Sequence, residues 1–187
     1  MKRSKFMIGL IGATALCMAS FAASAAMVQQ MGLSDLVGNA DKVFRGTVLT
    51  KEPGTVRAGG SELDTVVYTL RVDDAIKGNF GAGKSARLIE ITMLGDLKER
   101  PAVNGRQQLF SMDMSPDLRV GSEYVLFTTS PSAIGLSTTV GLDQGLFRVF
   151  ANENGSDMTA NGLGNQGLFG GAVSYDQLKS AINDELN

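Results

Sequence analysis

The sequence predicts a mainly β chain, a small barrel or sandwich carrying a short N-terminal helix and a C-terminal amphipathic helix. Three observations point there. Short runs rich in β-branched and aromatic residues recur between Gly- and Pro-containing turns. The run Thr65–Asp73 alternates strictly, with Val66, Tyr68, Leu70 and Val72 on one face and Thr65, Val67, Thr69, Arg71 and Asp73 on the other. Only the last stretch, near Tyr175–Glu185, changes to helical spacing.

The elements follow in order. Met1-Lys2-Arg3-Ser4-Lys5, an apolar run from Phe6 to about Ala15, and Ala23-Ser24-Ala25 have the form of a secretory signal peptide over residues 1–26. The apolar run is short for a membrane span, which takes roughly 20 residues. Leu16 before Cys17 does not suit lipid attachment. Residues 27–187 are then expected to form one domain, with the barrel over about 34–150 and a Gly/Asn-rich loop plus helix over 151–187.

Ser34 is expected to cap a helix of one or two turns before Gly38-Asn39. Val43–Leu49 reads as the first strand, ended by Pro53-Gly54 and followed by a loop holding Gly59 and Gly60. Thr65–Asp73 is the second strand and Ile89–Met93 the third. Phe110, Met112 and Met114 suggest a short edge strand. Tyr124–Thr129 and Leu146–Phe150 follow, the latter ending at the turn signal Asn154-Gly155. Ser174 and Gln177 match a capping box, and Leu178, Ala181, Ile182 and Leu186 form the apolar stripe of the closing helix. Gly141-Leu142-Asp143-Gln144-Gly145-Leu146-Phe147 is echoed by Gly164-Asn165-Gln166-Gly167-Leu168-Phe169, in a segment rich enough in Gly and Asn to suggest a mobile loop.

Composition restricts the chemistry. The chain has no His and no Trp, and its single Cys, Cys17, lies in the leader. Imidazole- or thiolate-based catalysis, His or Cys metal sites and disulfides within the exported chain are therefore excluded. Removing Lys2, Arg3 and Lys5 with the leader leaves 14 basic residues against 19 acidic ones, a net charge of −5. That sign does not suit nucleic acid or anionic membranes.

Gly78-Asn79-Phe80-Gly81-Ala82-Gly83-Lys84-Ser85 matches a phosphate-binding loop in letters. Such a loop must open a helix at Lys84-Ser85. A strand at Ile89–Met93 is expected instead, so the segment reads as a turn and no nucleotide is expected. Asn152, Asn154 and Asp157 around Gly155 fail the spacing of a calcium loop and read as turn chemistry. Asp73 and Asp74 point to opposite faces of a strand and are not expected to share a proton. No catalytic, cofactor-binding or metal-ligating residue is assigned, and no cofactor is expected.

The order Asn39–Val48, then a strand ending in Ile76-Lys77-Gly78, then Gly121-Ser122-Glu123-Tyr124-Val125-Leu126-Phe127, resembles the netrin-like modules, which include the tissue inhibitors of metalloproteinases. Exported bacterial proteins of unassigned function show a similar pattern, with an ending like Gly141–Phe147. The resemblance covers roughly Ser34–Phe150 and implies a five-stranded Greek-key barrel of the OB type. Those inhibitors use a disulfide-pinned N-terminal Cys, which this chain lacks, so no functional residue is carried over.

The leading expectation is an exported, periplasmic or extracellular, non-enzymatic module that binds a protein or cell-envelope component. A second is a secreted metalloprotease inhibitor. A third is a carboxylate-based hydrolase, which needs two acids in one cleft about 5–10 Å apart.

Overall fold

The computed structural model describes residues 29–81, 87–97 and 115–187. The predicted leader and the predicted edge strand at Phe110, Met112 and Met114 lie outside the described residues. Helix α1 (Leu33–Asn39) leads into β1 (Lys42–Ala58), β2 (Ser61–Lys77), β3 (Arg87–Leu94) and β4 (Glu123–Thr128). A 3-10 turn at Leu142–Gly145 opens β5 (Leu146–Ala151), followed by β6 (Asp157–Asn161), β7 (Val173–Ser174) and α2 (Tyr175–Leu186). The seven strands form one antiparallel sheet in the order β3-β2-β1-β4-β5-β6-β7.

The predicted five-stranded closed barrel is therefore corrected to an open sheet of seven strands. Two additional strands, β6 and β7, fall in the segment expected to be a loop. The curled sheet brings its β3 edge to the loop before β5, where the Ser137 N–H donates to the Thr92 carbonyl at 2.8 Å. One hydrogen bond is not a ladder, and the sheet stays open.

Alternation along the central strands divides the core in two. On one face Val43, Val125, Phe127, Phe147 and Val149 pack under α1 and α2 through Leu36, Val37, Tyr175, Leu178 and Ile182. On the other, Phe44, Val48, Val66, Tyr68, Leu70, Ile91, Met93, Tyr124 and Leu126 pack within the curl of the sheet, joined by Leu118. Residues Tyr124–Thr128 of β4 are all buried because both of its faces are covered.

Helix α2 begins with the expected capping box: the Gln177 N–H donates to Ser174 Oγ at 3.2 Å, and the Ser174 N–H to Gln177 Oε1 at 3.1 Å. Its stripe is shorter than predicted, since Leu178 and Ile182 are buried but Leu186 is exposed at the last turn. Helix α1 starts earlier than expected. Asp35 Oδ2 accepts the Gly32 N–H at 3.0 Å, so Gly32 is the cap and Ser34 lies inside the first turn. At the other end of α1, Lys77 Nζ donates to the Val37 and Ala40 carbonyls, 2.7 Å each, filling acceptors that a helix end leaves open. Next to it Gly78 has φ +100°, and a Cβ there would come within 2.6 Å of the Asp41 carbonyl.

The segment 162–171 is ordered as consecutive turns around Asn165, not left loose. Its side chain is fully buried, accepts the Asn161 N–H at 2.8 Å and donates to the Thr159 and Gly171 carbonyls at 3.0 and 2.9 Å. The internal echo has a backbone counterpart: Gly141-Leu142 and Gly164-Asn165 are both consecutive left-handed pairs, with φ of +61° and +59°, then +63° and +59°. In the first copy the 3-10 turn presents Gln144, which is buried. Its Oε1 accepts the Met31 N–H at 2.7 Å and its Nε2 donates to the Gln29 carbonyl at 3.0 Å, fixing the segment before α1.

Candidate functional site: a projecting arm and the cleft at its base

β1 and β2 are each 17 residues long and pair with one another up to Ala58↔Ser61. Their outer neighbours stop much earlier, β4 at Thr47 and β3 at Thr65. The last part of the pair therefore leaves the sheet as a two-stranded arm. At about 3.3 Å per residue, the five steps from Gly54 to Gly59 extend it by roughly 16 Å. The turn at its tip is Gly59-Gly60, with φ of +57° and +83°. Two positive φ values make the two-residue turn whose twist matches that of the strands.

This corrects the expected end of the first strand at Pro53-Gly54, since β1 runs on to Ala58. Pro53 has no N–H to donate, but it pairs with Val66 where β1 is already an edge strand, the place where proline is tolerated. Gly54 is required by close approach, because a Cβ would lie 2.8 Å from Thr65 Oγ1. Two residues read as breakers therefore sit within the strand. Glu52, Pro53, Thr55, Arg57, Gly59, Gly60, Ser61 and Glu62 are exposed along the arm. Arg57 and Glu62 face each other at 3.7 Å, with side chains 86% and 64% exposed, and such a pair adds little stability.

At the base of the arm lies a cleft of about 250 Å³. Lys51 and Tyr68 come from β1 and β2, Gly95-Asp96-Leu97 from the end of β3, and Ser115-Pro116-Asp117 from the approach to β4. Lys51 Nζ is salt-bridged to Asp117 and stands 5.9 Å from the centre of the Tyr68 ring. The Tyr68 hydroxyl points to Asp117 Oδ1 at 3.4 Å. Burial, reinforced by the charge of Asp117, pushes the Tyr68 phenol up to about 12. It is therefore a proton-holding donor at neutral pH. Asp96 and Asp117 share this cleft, but Asp117 is tied to Lys51 and Asp96 is also engaged. Tyr68 is 3% exposed and belongs to the core, so what the cleft presents to solvent is the Lys51–Asp117 pair, with the Asp117 side chain 68% exposed.

A second hollow of about 300 Å³ shares Asp96 and is lined by Pro53, Gly54, Thr55, Asp64 and Thr65. Thr65 is 2% exposed, and its Oγ1 has no hydrogen-bond partner among the described residues. An unmet buried hydroxyl costs stability, so Thr65→Val is expected to stabilise the protein by about 1 kcal/mol. A urea midpoint that moves upward at constant slope would show it, while a downward shift would mean that the hydroxyl is engaged.

The opposite face carries a network that closes on itself. Arg45 donates to both carboxylate oxygens of Glu123 at 2.6 and 2.9 Å and to Asp157 at 2.7 Å. Its guanidinium stands 4.5 Å from the centre of the Tyr175 ring. Hydrogen bonding to Glu123 raises Arg45 further, outweighing its burial. The Tyr175 hydroxyl donates to Asp74 at 2.7 Å and Lys179 bonds the same oxygen at 2.5 Å. Burial, together with the hydrogen bond to Asp74, raises the Tyr175 phenol. Asp73 takes other partners, Thr47 and Arg71, so the adjacent acids do not act as a pair.

Burial alone would raise Asp74, but the bonds from Lys179 and Tyr175 outweigh it and the carboxyl is lowered overall. A lowered carboxyl favours the folded state above its unfolded value near 4, and that contribution disappears as pH falls through the folded value. The advantage of the wild type over Asp74→Asn, about 1 kcal/mol at pH 7, is accordingly expected to shrink on acidification. Melting both proteins between about pH 2 and pH 7 measures it, and a gap independent of pH would contradict the assignment.

The other sequence motifs resolve as local structure. The antiparallel β3 follows the phosphate-loop-like segment from Arg87 onward, where a nucleotide loop would have a helix. Residues 82–85 of that segment lie outside the described ones. Asn152 Oδ1 accepts the N–H groups of Asn154 and Ser156 at 3.0 and 2.9 Å, which is turn chemistry. Among the described residues no group of three or more acids could hold a metal ion, and no helix is long and apolar enough to cross a membrane. Sequence reasoning missed the arm, Lys51, Tyr68 and Asp117. The two glycines at 59–60 were the available signal, masked by Pro53-Gly54. The chain matches no protein-family model and no curated protein.

Proposed function

We propose that this chain is an exported, non-enzymatic binding module of the cell envelope that engages a partner protein through the β1–β2 arm and the cleft beneath it. The arm is the observation that supports this reading. Two strands continue beyond both neighbours, so their outer residues gain little from the core. Exposed, mixed-charge side chains on a projecting ribbon give a partner surface to read, and the cleft below adds the Lys51–Asp117 pair.

Replacing Val56–Leu63 by Asn-Gly tests the proposal. Thr55 and Asp64 already pair, so the shorter turn keeps the register and leaves both cores untouched. The intact protein is expected to cross-link a defined partner in envelope extract, and the shortened one to lose it while melting cooperatively. Equal capture by both would defeat the proposal. Inhibition of a secreted metalloprotease at micromolar excess, lost on shortening the arm, would favour the inhibitor reading instead.

A further inference from the structure

β5 presents Leu146, Arg148 and Phe150 on one face of the sheet, with Tyr124 of β4 and Ala160 of β6 directly opposite Arg148. They line an open groove of about 460 Å³, away from the arm and within the size range of small-molecule sites. Phe150 is a large apolar side chain left 38% exposed. Arg148 stands in the middle. Unlike the saturated Arg45, it has no hydrogen-bond or ion-pair partner among the described residues.

The remaining polar groups narrow the ligand. The Asn161 amide is spent on the Gln144 carbonyl and on the N–H groups of Leu163 and Asn165. The backbone of the floor is occupied by the ladders joining β4, β5 and β6. A peptide or sugar would find too few donors and acceptors here. An apolar body with one negative group needs only the strip and the cation. Asp143 lines the Leu146 end and repels an anion placed there.

We infer that this groove binds an apolar monocarboxylate of medium chain length, with its carboxylate on Arg148 and its hydrocarbon over Phe150, away from Asp143. The exposed guanidinium gives a screened ion pair that sets the orientation, and the hydrocarbon gains affinity by covering the exposed aromatic ring.

Titration calorimetry of the purified chain with decanoate tests the assignment. Saturable binding to a single site is expected, weakened about fivefold in Arg148→Gln and largely kept in Arg148→Lys. Decan-1-ol, which has the same chain without the charge, is expected to bind about fivefold more weakly and to be indifferent to Arg148→Gln. Arg148 is exposed, so both variants should melt like the wild type. Failure to saturate by about 1 mM, or equal decanoate binding with and without the guanidinium, would overturn the inference. So would tighter binding of a short blocked peptide ending in Leu-Phe, which would make the site a peptide C-terminus receptor. These results do not depend on the arm.

Discussion

Phe127→Ala is expected to lower the stability of the fold by about 3–5 kcal/mol, the cost of emptying a large core site that cannot collapse. Phe127 is fully buried on β4, with its ring centre 5.5 Å from that of Phe147. Its strand is held by β1 on one side and β5 on the other, so the backbone cannot move in to close the gap. The cavity would open under α1 and α2, beneath Leu36, Leu178 and Ile182. Chemical denaturation followed by fluorescence and by circular dichroism should show coincident transitions at a much lower midpoint. Phe127→Leu should recover more than half of the loss. A change under about 1 kcal/mol for the alanine variant would mean that the two-sided burial of β4 is wrong.

The second large effect is polar. Asn165→Ala is expected to cost about 2–4 kcal/mol, because it strands the Asn161 N–H and the Thr159 and Gly171 carbonyls in a region with little access to water. Asn165 also has φ +59°, a conformation asparagine tolerates better than alanine. Asn165→Gly removes the same hydrogen bonds without the backbone strain and should be less damaging by about 1 kcal/mol. Thermal melts of the three proteins separate the two contributions. Alanine and glycine variants that match the wild type would contradict the role of this side chain.

These two residues show why the sequence was readable in one part and opaque in another. β2 and β4 were legible because their buried faces are apolar, so composition and period agree in Val66, Tyr68 and Leu70 and in the continuous run Tyr124–Phe127. β6 was not. Its buried residues are Thr159 and Asn161, which inverts the usual pattern and makes a strand look like a polar loop. What places it in the sheet is the satisfaction of those groups by Val173, Gln144 and Asn165, which lie distant in sequence or outside any periodic run. α2 was legible from its capping box and from Leu178 and Ile182, while Leu186 was misplaced because the last turn leaves it 40% exposed.

The arm was hidden by chemistry that depends on neighbours. Pro53 and Gly54 usually interrupt a strand. Here β4 has already ended beside Pro53, and Thr65 lies against Gly54, so each fits inside β1 for a reason invisible in the local sequence. The cleft was hidden as well, since Lys51, Tyr68 and Asp117 converge only through pairing and through the return of the chain at Leu118. By contrast, the Lys-Gly pair that ends β2 was visible as a motif. Its work is to cap α1 through Lys77 and to pass Gly78 close to the Asp41 carbonyl.

A photo-reactive side chain placed at Arg57 on the arm, and in a separate protein at Glu185 on the far helix, offers the most direct test of partner engagement. In envelope extract, one discrete adduct is expected from position 57 that free, unlabelled protein competes away, and none from position 185. Adducts arising equally from both positions, or only from the helix, would contradict it.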